Sequence, residues 1–111
     1  FSTPPRPASL VEEVPMALTD QLTLEPAPNP FREQTTLTIH LPEAGQTNLR
    51  VYDQRGTLVR TLANGVLDAG RQSFQWNGRD DSGRVLPTGL YVIRLDTPTA
   101  SQTKLIMFLS Q

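Results

Sequence analysis

Residues 35–41 read Thr35-Thr36-Leu37-Thr38-Ile39-His40-Leu41. On an extended chain Leu37, Ile39 and Leu41 fall on one side, and Thr36, Thr38 and His40 on the other. Branched carbons that already restrict χ1 suit such a pleated, half-buried strand. Pro42 ends it by withdrawing an N–H donor, and Glu43-Ala44-Gly45-Gln46 turns the chain. The pattern returns on both sides of this stretch. Upstream, Leu22 and Leu24 share one side of residues 21–25. Downstream, Asn48–Asp53 sets Leu49 and Val51 against Arg50 and Tyr52, and Thr57–Leu62 resumes after Asp53-Gln54-Arg55-Gly56. Gly56 closes that loop where a bulged hairpin requires positive φ. Asn64-Gly65 and Asp68-Ala69-Gly70 read as further turns. Arg71–Trp76 is the next strand, with Phe74 and Trp76 on one face. Asn77-Gly78-Arg79-Asp80-Asp81-Ser82-Gly83 is the densest turn signal in the chain. Leu90–Leu95 and Gln102–Leu109 complete the series.

Seven strand-like runs recurring about every 8–12 residues, with no amphipathic helix, predict an antiparallel seven-stranded β-sandwich. The best inward-facing candidates are Leu37, Ile39, Leu49, Val51, Phe74, Trp76, Tyr91, Ile93 and Leu95. Burial of each large apolar side chain contributes roughly 1.5–3 kcal/mol, so a sandwich of this size is feasible without covalent staples.

Composition narrows the function classes. The 111 residues suit one domain. Eleven acidic against ten basic residues give a net charge of −1, which disfavours a nucleic-acid binder relying on a global positive field. No stretch is long and apolar enough for a membrane-spanning helix. With no cysteine, disulfides and cysteine-type metal sites are excluded, and one histidine removes histidine-cluster metal sites. A non-catalytic module without cofactor is expected.

Proline and glycine divide the chain. Seven of ten prolines lie in residues 1–30, and all seven glycines lie from Gly45 onward. Residues 1–21, opening Ser2-Thr3-Pro4-Pro5-Arg6-Pro7 after Phe1, are read as an extended linker, and residues 22–111 as the folded domain. Within the linker, Leu10-Val11-Glu12-Glu13-Val14-Pro15-Met16-Ala17-Leu18 is more apolar and suits docking on a neighbour, while Pro15 argues against a stable helix. The start at Phe1 suggests a piece of a longer protein.

Several residues carry two readings. Trp76 is either a sugar-stacking platform or core, and its alternation with Phe74 favours core. Asn77, Asp80, Asp81 and Ser82 offer oxygen ligands for calcium, but the spacing is that of a plain turn. Arg50, Arg55, Arg60, Arg71 and Arg94 form either an anion-binding face or solvated outer positions, the latter favoured because acids are interspersed. His40 lies on the outer face without a clustered partner in sequence and is a poor catalyst. Lys104, the sole lysine, is either read by a receptor or guards an edge strand. Pro28-Asn29-Pro30 is either a docking motif or a stiff lead-in to the sandwich.

Pro28-Asn29-Pro30-Phe31 followed by a strand and Leu41-Pro42-Glu43-Ala44-Gly45 resembles the opening of C-terminal sorting domains of the bacterial type IX secretion system. Leu49-Arg50-Val51-Tyr52-Asp53-Gln54-Arg55-Gly56 is similar to that family's second hairpin. The run from Phe74-Gln75-Trp76-Asn77-Gly78 to Thr88-Gly89-Leu90-Tyr91 looks equally like the immunoglobulin-like domain of flagellar hook-capping proteins. The resemblance covers residues 22–111 and implies an immunoglobulin-like sandwich. In the sorting family it makes Pro28, Asn29, Pro30, Gly56, Gly89, Tyr91 and Lys104 the recurring motif positions. The chain departs from that pattern in finishing Phe108-Leu109-Ser110-Gln111, where many members end on a basic residue.

The sorting resemblance implies a secreted protein that crosses the periplasm to the cell surface. Its partners would be an outer-membrane translocon, a sortase-like peptidase and a covalently linked upstream cargo, commonly a hydrolase. The hook-capping resemblance implies instead a structural assembly module. A carbohydrate-binding module appended to a glycoside hydrolase is a third expectation, weakened by having only seven aromatics, most of them inward.

Overall fold

The alternation of residues 35–41 becomes the central strand of one of two layers. In a computed structural model, which describes residues 21–110, the strands in chain order are β1 (Thr23–Ala27), β2 (Thr35–Leu41), β3 (Gly45–Tyr52), β4 (Leu58–Leu67), β5 (Gly70–Trp76), β6 (Gly89–Asp96) and β7 (Ser101–Phe108). The linker assigned to residues 1–21 lies outside the described residues apart from Gln21. One sheet is ordered β1-β2-β5 and the other β4-β3-β6-β7. Neighbouring strands within each sheet run antiparallel. The chain is an all-β, seven-stranded immunoglobulin-like sandwich.

Side-chain period fixes which residues meet between the layers. In β2 every second residue, from Thr35 to Leu41, is buried. Leu24, Leu37, Ile39 and Leu41 from one sheet share a single core with Leu49, Val51, Ile93, Leu95 and Ile106 from the other. One end of this core is aromatic. Phe31 stacks on Phe108 with ring centroids 4.8 Å apart, and Trp76 sits 5.3 Å from Phe31 and edge-on to Tyr91 at 5.4 Å. Tilted and edge-to-face pairs align ring edges with ring faces and strengthen packing beyond area burial.

Three local readings are corrected. Asn64-Gly65 is no turn: both residues lie inside β4, opposite Asn48 and Thr47 of β3. Pairing along β3, which begins at Gly45, overrides the local turn signal, and β4 absorbs the length through register shifts between Leu49 and Arg50 and between Val51 and Tyr52. Phe74 is half-buried at the core margin, because β5 is an edge strand. Phe31, Ile106 and Phe108, absent from the inward candidates, are buried to within 2% of complete.

Candidate functional site

The last strand lies at a sheet edge, where unpaired backbone groups invite another chain. Residues 29–31 cover part of that edge. The Asn29 side-chain amide donates to the Leu105 carbonyl at 3.1 Å, and the Met107 N–H donates to Asn29 Oδ1 at 3.0 Å. Phe31 continues the cover: its N–H donates to the Met107 carbonyl at 3.0 Å, and the Leu109 N–H donates to the Phe31 carbonyl at 2.9 Å. Asn29 thus stands in for one more residue of a strand. The Thr35 hydroxyl donates to the Pro28 carbonyl at 2.8 Å and ties the motif to β2. Peptide bonds 27–28 and 29–30 are cis. Pro28, Asn29 and Pro30 remain exposed.

Lys104 faces Ile93 across the β6–β7 ladder, so it starts toward the interior side of the sheet at an unsheltered edge. An inward-pointing charge there opposes strand addition. The edge is therefore blocked by hydrogen bonds from residues 105 to 109 and by a charge below them.

The other motif positions gather at the aromatic end. Gly56, at φ +87°, completes the β3–β4 hairpin, as a positive-φ position requires. Asp53 holds that loop, with its Oδ1 accepting from the Arg55 and Thr57 N–H groups at 2.9 Å. The Thr57 hydrogen bond is the main reason its carboxyl lies below the ordinary range. Gly89 opens β6 opposite Phe108, and a Cβ there would find only ordinary contact. The Tyr91 hydroxyl donates to the Pro87 carbonyl at 2.6 Å, four residues upstream, like the tyrosine corner of many sandwiches. Burial, then the nearby Asp53 charge, raises the pKa of that phenol. Lys104, midway along β7, stands apart from this end.

The residues with two readings are now placed. Trp76 is 1% exposed, and its indole N–H donates to the Arg79 carbonyl at 2.9 Å, so it is core. Asp80 Oδ1 accepts from the Ser82 hydroxyl and from the Ser82 and Arg84 N–H groups. These bonds, the hydroxyl's first, lower its pKa and spend that oxygen on the turn itself. Among the described residues no group of three or more His, Asp or Glu side chains is placed to hold a metal ion. The arginines do not share a face. Arg55 and Arg60 approach Asp53 and Asp81, whereas Arg50 and Arg94 lie opposite each other on β3 and β6. Arg94 is held charged by Asp96, 2.9 Å away.

Two features escaped the sequence reading. Gly78, at φ +75°, lies so close to Phe108 that a Cβ would meet its ring carbons at 2.3–2.7 Å. The second is an apolar row on the outer face of the four-stranded sheet, where Tyr52 faces Leu58 on one side and Val92 on the other, and Val92 faces Leu105. The signal was present: residues 90–93 and 105–109 are unbroken apolar runs, and a strand with one wet face alternates.

Comparison with known proteins bears on the whole fold. The family model described as the FlgD Ig-like domain matches residues 19–101. The basal-body rod modification protein FlgD of Salmonella typhimurium is 35% identical over 63 residues, which are 57% of this chain and 27% of that protein. The match thus spans about a quarter of its curated relative. The crystal structure of FlgD from Xanthomonas campestris superposes with a TM-score of 0.53 at 26% identity, covering 86% of this chain and 72% of that one. PorZ, a surface component of the type IX secretion system of Porphyromonas gingivalis, shares the fold, with a TM-score of 0.56, 17% identity and coverage of 78% of this chain and 11% of that one. Sandwich, aromatic end and family match agree: the chain belongs to the FlgD Ig-like domain family.

Proposed function

We propose that this domain is a non-catalytic sorting and attachment module, which directs a covalently linked upstream protein through type IX secretion to the cell surface. The observation that carries the reading is the pair of hydrogen bonds from Asn29 to Leu105 and Met107. They join the Pro-Asn-Pro motif to the final strand as one exposed feature, although 76 and 78 residues separate the partners. A translocon that recognises the domain only when both ends are in place would read folding and completeness together. The linker of residues 1–21 would present the extended segment that a sortase-like peptidase needs. The route passes the periplasm and ends at the surface, where the cargo, commonly a hydrolase in the family that the motif resembles, is attached. The fold shared with PorZ supports this reading.

Deleting residues 88–111 from the parent protein is expected to trap its cargo in the periplasm. Surface display that survives the deletion contradicts the sorting role.

A second reading, favoured by the 35% identity to FlgD of Salmonella typhimurium, is a structural assembly module acting through subunit contacts, as in hook capping. It predicts association with filament proteins and no processing within residues 1–21. Chemical crosslinking in cells followed by mass spectrometry separates the two: filament subunits support assembly, and translocon components support sorting.

A further inference from the structure

The outer face of the four-stranded sheet combines apolar exposure with unanswered polarity. Leu58, Leu90 and Leu105 are 44%, 39% and 57% exposed. Leu58 and Leu105 end the row that runs through Tyr52 and Val92, and Leu90 faces Met107 beside it. The next row along the strands is cationic: Arg50 lies directly opposite Arg94, and Thr103 follows on β7. Like charges across a ladder are destabilising. Asp96 answers Arg94, but among the described residues no carboxylate pairs with Arg50. Arg50 Nε and Asn48 Oδ1, both on this face, are buried without hydrogen-bond partners. Tyr52, Val92, Arg94 and Thr103 line a hollow of about 390 Å³ between the two rows.

An occupant must bring apolar side chains for one row, a carboxylate for the other, and backbone polar groups. It meets the face of the sheet, because the β7 edge is closed by Asn29, Phe31 and Lys104 as described above. Residues 10–18, Leu-Val-Glu-Glu-Val-Pro-Met-Ala-Leu, have that chemistry, with two adjacent carboxylates between apolar residues. The route is also short. Gln21 and Leu22 lie in one hollow with Ala100 and Gln102, next to the start of β7. Moving from there to Val92 takes about three residues along β7 and one strand spacing, roughly 15 Å in all. Extended chain spans about 3.3 Å per residue, so the two residues between Leu18 and Gln21 and the segment itself cover the distance.

We infer that residues 10–18 dock on the outer face of the four-stranded sheet, with apolar side chains over Tyr52, Val92 and Leu105 and with Glu12 or Glu13 at Arg50. The docked segment shields the exposed leucines and leaves residues 1–9 as the part of the linker open to a protease. The inference stands under either reading of function.

The full chain has no cysteine, so Ser9→Cys carries a nitroxide at a single site. In amide NMR spectra of the labelled full chain, the signals of Tyr52, Val92 and Leu105 are expected to lose more than half their intensity, while those of Thr36 and Thr38 on the opposite outer face keep theirs. Adding Glu12→Lys and Glu13→Lys to the labelled chain should restore most of the lost intensity. Broadening confined to the neighbours of Gln21, or equal on both faces, overturns the proposal. So does broadening that appears when isotope-labelled chain without nitroxide is mixed with unlabelled spin-labelled chain, since the occupant is then a second copy.

Discussion

The two outer faces of the sandwich are built on the same core yet differ in what they present. On the three-stranded sheet Thr36, Thr38 and His40 of β2 lie beside Gln75, Ser73 and Arg71 of β5, a polar surface suited to water. On the four-stranded sheet Tyr52, Val92 and Leu105 form an apolar row beside the Arg50–Arg94 pair. Folding requires only the inner faces to be apolar. The first face shows what the fold needs outside, and the second shows what it carries in addition. Exposed apolar rows rimmed by polar groups mark interaction surfaces rather than structural ones.

The sharpest way to break this comparison is to disturb the core that both faces share. Gly78→Ala forces a Cβ against the Phe108 ring from a positive-φ backbone, and should cost about 3 kcal/mol by overpacking and strain. Denaturant unfolding followed by tryptophan fluorescence measures this, and a cost near zero would mean that the aromatic end is loosely packed. Opening the clamp comes next. Asn29→Ala removes two exposed hydrogen bonds to the β7 edge and should cost about 1–2 kcal/mol. Hydrogen exchange should quicken most at the Met107 amide, which loses its acceptor.

The faces themselves separate in smaller effects. Leu105→Ser should change stability by less than about 1 kcal/mol, because its side chain is more than half exposed. It should nevertheless lower the binding of a hydrophobic dye, whereas Thr38→Ser leaves dye binding unchanged. Equal dye responses would erase the difference between the faces. The smallest effect is acid-induced. Asp53 and Asp80 have pKa values below the ordinary carboxylate value when folded. Their contribution is therefore complete above the unfolded-state pKa and fades as pH falls through the lower folded values. Stability should stay flat from neutral pH down to about pH 5 and decline below pH 4. In the double variant Asp53→Asn and Asp80→Asn the decline should be shallower.

Much of this architecture was legible because period-two alternation is a local signal. Residues 35–41 are β2 to the residue, and the positive φ of Gly56 followed from the hairpin alone. Phe31 was not legible, since it stands between Pro30 and a polar run and is buried through contacts with a strand far along the chain. Asn64-Gly65 misled because cross-strand pairing outweighs local turn preference. At the site, Asn29 and Lys104 could be named from the motif, but the acceptor and donor that Asn29 uses lie on β7. Only the fold brings them within reach, and the same holds for the rows that cross four strands.

The account rests on the clamp that couples residue 29 to the last strand, and surface display of the parent protein carrying Asn29→Ala tests it most directly, with Thr38→Ala as control. The predicted result is cargo retained in the periplasm with the clamp opened and normal display of the control, both domains remaining folded. Full display of the Asn29→Ala protein would contradict it.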